Sequence, residues 1–503
     1  MSMSSGRVGQ GSFRESLERA TFTDPATGAK YSVTPGGEGY RLAFSRGGAG
    51  LQGERPLAFF VGSGRVGRSY LYSLGGFLFQ SPVSYYSQAA RWDVSPGYQH
   101  YQSIHLTRGV ETACLQCHAS RLQPTAGTQN GFGSVPFLEG GIGCERCHGP
   151  GGTHVARMKS GGGAGPRSIV NPAKLDAARR DSVCAQCHLT GAARIARARG
   201  TGETYRPGLL LSDFSAVFVW SGADTDGMSV NSHFEKLQQS TCKSASGDRL
   251  WCGSCHDPHG EPDPVARPAY YRARCAKCHP ASNCKESARV RAASQDDCAG
   301  CHMPKSAVRD NLHAVYTDHS IPRRPRHFAA GAGTAVEGRS LVSFWKTAAD
   351  PRDQALAYAS VAGGDTELRQ TALALLEQAE KRSPADMPVL SQLSQIYDRM
   401  GDEEKAMAIC ERIVRADSTE ITARINLGTY LIKRGRAREA IGLWEEVLAK
   451  NPGLTEVRIN LAVAQYRAGD AAAASLSIKR ALEFEPDDPT ARQLEAELAA
   501  AGR

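Results

Sequence analysis

The hydrophobic pattern changes character twice along the chain. Between residues 20 and 105 apolar and polar positions alternate in short runs: KYSVT (30–34) and YRLAF (40–44) flank PGGEG, and LAFFV (57–61), SYLYSL (69–74) and FLFQSPVSYY (77–86) follow. Alternation with a period of two around glycine-rich turns predicts antiparallel strands. From 106 to 328 long periodic stretches are scarce and Gly and Pro are frequent, so short helices joined by loops are expected. Beyond about 350 the composition shifts to Ala, Leu, Glu and Arg with a helical period. The predicted fold class is therefore multidomain: a small β-rich N-terminal domain at 20–105, a mostly α and irregular domain at 106–328, a linker at 329–350 and an all-α solenoid at 351–503.

The last region carries a repeat of 34 residues. Leu393, Leu427 and Leu461 keep that spacing, as do Gly401, Gly435 and Gly469, and Ala406, Ala440 and Ala474; Pro384, Pro452 and Pro486 share the register, with Ser418 as the exception. In INLGTYLIKRGRAREAIGLWEEVLAKNP (425–452), Leu427, Gly428, Gly435, Ala440 and Pro452 fall where the tetratricopeptide family places its signature residues. The segment resembles that family, which implies stacked helix pairs presenting a surface to a protein or peptide partner. A degenerate repeat at 353–386 and a terminal helix at 489–500 would bring the total to about three and a half repeats with caps. Cys410 stands at a helix-packing position and reads as a small buried apolar residue.

The chemistry lies in the middle region. Cys-x-x-Cys-His occurs six times, at Cys114/Cys117/His118, Cys144/Cys147/His148, Cys184/Cys187/His188, Cys252/Cys255/His256, Cys275/Cys278/His279 and Cys298/Cys301/His302. Chance predicts on the order of 0.01 occurrences in a chain of this composition. Two thiols at this spacing meet the two vinyl groups of one porphyrin, and the histidine that follows reaches its iron. A closed zinc site wants four ligands and gives no reason for a histidine after every cysteine pair. A redox dithiol needs one motif in a βαβ setting, which is absent. The expected cofactor is haem c, six covalently attached, with the motif histidines as proximal iron ligands. Six large apolar macrocycles would also supply the core that 106–328 lacks.

Over roughly 110–320 the chain resembles multihaem c-type cytochromes. CERCHGPGGTH (144–154) is similar to a haem segment of tetrahaem cytochromes of the c-554 type, in which the histidine after the Gly-Pro turn ligates a neighbouring haem; that role falls on His154, and on His259 in CGSCHDPH (252–259). CAGCHMP (298–304), followed by His313 and by His319 in TDHS, resembles the last haem of this group and of pentahaem nitrite reductases. His233 in NSHFEKL is a further distal candidate, as is His105, with His100 its neighbour and rival; His327 reads as a surface or propionate contact. The chain has no Cys-x-x-Cys-Lys, the catalytic form common in ammonia-forming nitrite reductases, and six motifs match neither four nor five haems. Cys242 and Cys284 lie outside the motifs, as a disulfide or as free thiols.

Other signals narrow the partners. The formal charge of +9 would move to about +3 with six oxidised haems and to about −3 with six reduced ones, so nucleic acid is not expected. Arginines in RIARARG (194–200), YYRARCAKCH (270–279) and IPRRPRH (321–327) suit propionates. GSGRVG (62–67) has the dinucleotide Gly-x-Gly-x-x-Gly form, but a strand pattern follows it and residues 80–90 hold no acid. No apolar run reaches membrane-spanning length. The expectation is a periplasmic or otherwise extracytoplasmic electron carrier with redox partner proteins; no signal peptide is visible in residues 1–22, so either one precedes this start, the favoured reading, or export uses another route. Two other classes stay open: a multihaem oxidoreductase acting on a small nitrogen or sulfur compound at an open iron, and a haem-containing scaffold or sensor.

Overall fold

The computed structural model describes residues 4–10, 13–37, 39–47, 50–162, 168–197, 205–222, 229–280, 284–308, 311–324, 340–345 and 348–501. The chain forms two compact units: Ser4–Gly141 together with Asp350–Arg503, and Ile142–Ala349. This division differs from the boundary expected at 105/106, because residues 106–141 stay with the strands. Gln80 N–H donates to Arg108 O (2.9 Å), Val110 N–H to Leu78 O (3.0 Å) and Leu78 N–H to Asn130 O (2.8 Å). The first Cys-x-x-Cys-His motif therefore belongs to the unit that contains the repeats. His327 and most of the expected linker lie outside the described residues.

In the first unit the alternating segments form two antiparallel sheets. One contains Thr21–Thr23, Ala29–Gly36, Gly39–Arg46 and Leu51–Leu57; the other contains Ser5–Arg7, Phe59–Val61, Gly67–Leu74, Phe77–Tyr86 and Arg91–Val94. Tyr31, Val33, Leu42 and Phe44 of the first meet Phe60, Tyr70, Val83 and Trp92 of the second in one buried cluster. LAFFV, which reads as a single strand, changes sheet at Ala58: Leu57 pairs with Tyr40, and Phe59 with Leu71. GSGRVG is the turn between two antiparallel neighbours, with Gly62 and Gly64 at φ +105° and +89°. Buried Glu15 accepts from the hydroxyls of Tyr40 (2.8 Å) and Tyr70 (2.6 Å) and pairs with Arg68 (3.1 Å).

The repeats form four helix pairs and a terminal helix: Pro351–Val361 with Thr366–Arg382, Met387–Arg399 with Glu403–Ala416, Ile421–Lys433 with Ala437–Lys450, Thr455–Arg467 with Ala471–Phe484, and then Pro489–Ala501. The 34-residue spacing has a local cause at each position. Gly401, Gly435 and Gly469 sit at φ +81°, +75° and +88°, ending the first helix of each pair in the left-handed conformation. Ala406, Ala440 and Ala474 have no exposed surface, which lets the paired helices approach. A Cβ on Gly428 would meet the Trp444 indole at 2.3 Å. Cys410 is fully buried. Among the described residues no helix is long and apolar enough to cross a membrane.

The end of the solenoid is built into the strand region. Buried Glu485 accepts backbone N–H bonds from Leu106 (2.8 Å) and Thr107 (2.7 Å) and pairs with Nδ1 of His105 (2.8 Å). Asp487 pairs with Arg46 (2.7 Å), and the Phe79 and Phe484 rings meet edge to face at 6.1 Å. Glu485→Ala leaves two backbone donors unpaired and is expected to cost about 2–3 kcal/mol in urea unfolding, with Glu485→Gln milder because its amide oxygen still accepts. Gly435→Ala is expected to cost about 1–2 kcal/mol through its left-handed backbone.

Candidate haem centres

Each motif lies on or beside a helix, from a single turn to about three turns long. The helices are Thr112–Leu115, Glu145–His148, Ala177–His188, Cys252–Cys255, Arg267–Ala276 and Cys298–His302. His148, His256 and His279 each donate their backbone N–H to the carbonyl of their motif's first cysteine at 2.9 Å. Positions i, i+3 and i+4 share one helix face, so two thiols and an imidazole leave the turn together. Local chemistry fixes these turns: Asp176 caps the third helix by accepting from Arg179 N–H (3.0 Å), and Asp297 caps the sixth by accepting from Gly300 N–H (2.9 Å). In the second, Glu145 accepts from Gly151 N–H (2.7 Å) around Gly149 at φ +71°.

In the unit containing the repeats, His118 is half-buried, and the burial of its ring pushes the imidazole down to about 4. Its Nδ1 has no partner in the protein. His105 pairs with Glu485 and stacks on Tyr101 at 4.0 Å and 19°, while His100 is exposed.

The unit Ile142–Ala349 brings motif histidines against other imidazoles. His148 lies parallel to His259, with ring centroids 5.9 Å apart and planes at 12°. His188 and His233 meet at 5.1 Å and 90°. His256 and His319 lie 6.1 Å apart at 27°, and His319 also touches His233 at 4.8 Å. His188 and His233 are joined by Glu235, whose carboxylate accepts from Thr190 N–H (2.7 Å) and Gly191 N–H (2.5 Å), tying the chain after His188 to the helix that starts at His233. His319 is set by the TDHS turn, where buried Asp318 accepts from the backbone N–H and hydroxyl of Ser320, both at 2.8 Å.

The tautomers are fixed as well. Nδ1 of His148 donates to Val170 O (2.7 Å), that of His302 to Pro322 O (3.1 Å) and that of His319 to Thr317 O (2.9 Å). A carbonyl only accepts, so each Nε2 carries the free lone pair that a metal requires. Burial lowers His188 and His319, pushes His233 down to about 3 and His256 to about 4, so these rings are neutral near pH 7. Nitrogens of His188 and His233 are buried without a protein partner, like that of His118. Among the described residues no three His, Cys, Asp or Glu side chains converge on one point as a metal cluster. Paired imidazoles beside cysteine pairs are a donor set that fits a metal arriving in its own macrocycle, where the protein adds thioethers and one or two axial nitrogens.

The thiols of successive motifs are neighbours. Cys184 hydrogen-bonds Cys252 and interacts with Cys147; Cys275 interacts with Cys298 and Cys255. The other expected attachment cysteines differ in setting. Cys117 lies half-buried just after the first motif's helix, Cys187 is half-buried on the third, and Cys301 is exposed on the sixth, as are Cys114, Cys144 and Cys278 at theirs. No disulfide joins any of the twelve, so each sulfur keeps the valence that a thioether requires. For Cys117, Cys187 and Cys301 the expected attachment role rests on the motif spacing.

The remaining expected residues are dispersed. His154 faces Ser168 Oγ (3.1 Å) and His313 lies on the strand Asn311–Thr317. Arg194 and Arg197 bond Ser215 Oγ and Ser212 O, while Arg272 pairs with Asp296; Arg199 and Arg326 lie outside the described residues. Cys242 and Cys284 are free thiols. Sequence reasoning missed Glu235, Val170 and Tyr271, whose hydroxyl lies 3.4 Å from Nδ1 of His256. Nothing in their residue types marks them out.

Comparison with known proteins agrees with this reading. A family model described as cytochrome c554 and c-prime matches residues 85–149, and a tetratricopeptide repeat model matches 369–424 and 431–498. The multiheme cytochrome MtrA of Shewanella baltica (strain OS185) is 24% identical over 227 residues, 42% of this chain and 54% of that protein, so the chain spans about half the length of this curated relative. Solved structures similar to the chain include MamA (17% identity, TM-score 0.27, covering 28% of this chain and 83% of that one). Another is YrrB, titled a TPR protein with an unusual peptide-binding site (20%, TM-score 0.26, 28% and 74%). The chain resembles a multihaem c-type cytochrome fused to tetratricopeptide repeats.

Glu235→Ala removes the acceptor for two loop amides. The Thr190 and Gly191 amides are expected to lose at least tenfold hydrogen-exchange protection, with little change in the repeat helices.

Proposed function

We propose that the protein is a hexahaem electron carrier of an extracytoplasmic, periplasmic compartment, whose repeats dock a protein or peptide partner. The observation that carries this reading is the adjacency of attachment thiols through Cys147, Cys184, Cys252, Cys255, Cys275 and Cys298, which links five motifs in chain order within one unit. Thioether partners are the twelve motif cysteines, Cys117, Cys187 and Cys301 among them, and His118, His148, His188, His256, His279 and His302 are the proximal ligands. Close centroid pairs support His259, His233 and His319 as second ligands opposite His148, His188 and His256. A metal bonded at about 2 Å to each of two facing imidazoles separates their centroids by roughly 6 Å, near the observed 5.9 and 6.1 Å. Bound haem supplies reversible one-electron chemistry at iron; the protein's own part is to aim the imidazoles through their Nδ1 partners and the turns that carry them.

The test is protein matured in a host that attaches haem c. Intact mass is expected to give six haems per chain, and ferric electron paramagnetic resonance (EPR) only low-spin iron. A high-spin signal worth about one haem in six would overturn the pure carrier and point to catalysis at an open iron. His259→Ala, His233→Ala and His319→Ala are each expected to convert one low-spin haem to high-spin; an unchanged spectrum in any of them removes that residue from the ligand set.

A further inference from the structure

His279 departs from the pattern of the facing imidazoles. Its Nε2 lies 3.9 Å from Sγ of Cys242, a cysteine outside every motif. A metal bonded to nitrogen at about 2.0 Å and to sulfur at about 2.3 Å, with the two opposite each other, needs about 4.3 Å between the donor atoms. The observed gap matches that span within a few tenths of an ångström. Cys242 is also near Cys278 and Cys275, the two attachment thiols of the same motif.

The helix that carries Cys242 is anchored. Thr241–Ser246 is capped by Ser240, which accepts from Lys243 N–H (3.1 Å). The next side chain, buried Lys243, donates to Leu250 O (2.7 Å) and pairs with Asp181 (3.5 Å). Asp181 belongs to the third motif's helix, and Leu250 lies two residues before the fourth motif. The thiol thus stands on a frame tied to two neighbouring motifs, a device for placing a ligand.

We propose that Cys242 is the second axial ligand of the haem attached at Cys275 and Cys278, opposite His279, making this centre histidine–thiolate where those at His148, His188 and His256 are bis-histidine. On ligation the Cys242 S–H proton leaves to solvent and the sulfur lone pair forms the iron bond. The thiolate donates electron density to iron, so this haem is the hardest of the six to reduce. The inference rests on haem c at the fifth motif.

The test uses matured full-length protein, with haem per chain measured by intact mass and ligation by ferric EPR and near-infrared magnetic circular dichroism. The expected result is six haems and one sixth of the low-spin iron showing the narrow g-spread and sulfur-to-iron charge-transfer band of thiolate ligation. In Cys242→Ser and Cys242→Ala that signal is lost while six haems remain; in Cys284→Ala and Cys410→Ala it persists. Six haems with no thiolate signature in the unmutated protein overturn the inference and leave the hexahaem reading standing, reducing the Cys242–His279 approach to an S–H···N contact. A thiolate signature that follows Cys284 overturns it too. Five haems with Cys275 and Cys278 unmodified overturn the reading and the inference together.

Discussion

In the unit Ile142–Ala349 the proposed haem ligation would impose one constraint: imidazole nitrogens have to be aimed as lone-pair donors by a stretch of chain poor in long helices and strands. Among the described residues, one of its buried hydrophobic clusters comprises Ala185, Leu189, Leu211, Val217 and Phe234, smaller than the aromatic cluster of the strand region. Burial by itself disfavours the charged ring, and the lowered His188, His233, His256 and His319 follow from it. The aim of each ring then comes from short polar devices: a carbonyl on Nδ1, the Glu235 bridge, the Asp318 turn. Such devices need few residues, which is why this region can be so poor in long helices and strands.

The other unit follows different physics. Its sandwich and solenoid have cores of ordinary kind, and what joins them is Glu485, a carboxylate shared between the end of the last repeat and the backbone at Leu106 and Thr107. The same group holds His105, so the segment leading to Cys114 is fixed by the solenoid. The repeats are thus part of the frame around the first motif and not a tethered tail, since Phe484 and Asp487 at the end of the last pair meet Phe79 and Arg46.

What the sequence disclosed depended on whether a feature is local. The 34-residue register was legible because each position answers a short-range need: a left-handed φ at Gly435, close helix approach at Ala440, ring clearance at Gly428. The motif turns were legible because their donors lie within five residues. The grouping of 106–141 with the strands was not, since it rests on backbone bonds from Arg108 and Val110 to Phe77–Tyr86, which carry no side-chain signature. Pairings between rings also escaped. His259 follows the fourth motif in sequence yet lies parallel to His148 of the second, and only the path of the chain through space decides that.

Under the proposed haem ligation, differences around the motif histidines would give the centres different electronic settings even where both axial donors are imidazoles. A strong N–H···O=C bond makes the ring a more basic ligand and favours the ferric state. His148, with its 2.7 Å bond to Val170, receives more of this effect than His302, whose bond to Pro322 is longer at 3.1 Å. His256 faces a phenol hydroxyl at 3.4 Å, and His118 and His188 have no partner at Nδ1. Six chemically identical macrocycles placed in these surroundings would hold electrons with unequal affinity. A direction for electron flow therefore needs no difference in cofactor; it follows from which carbonyl, hydroxyl or sulfur the fold sets against each imidazole.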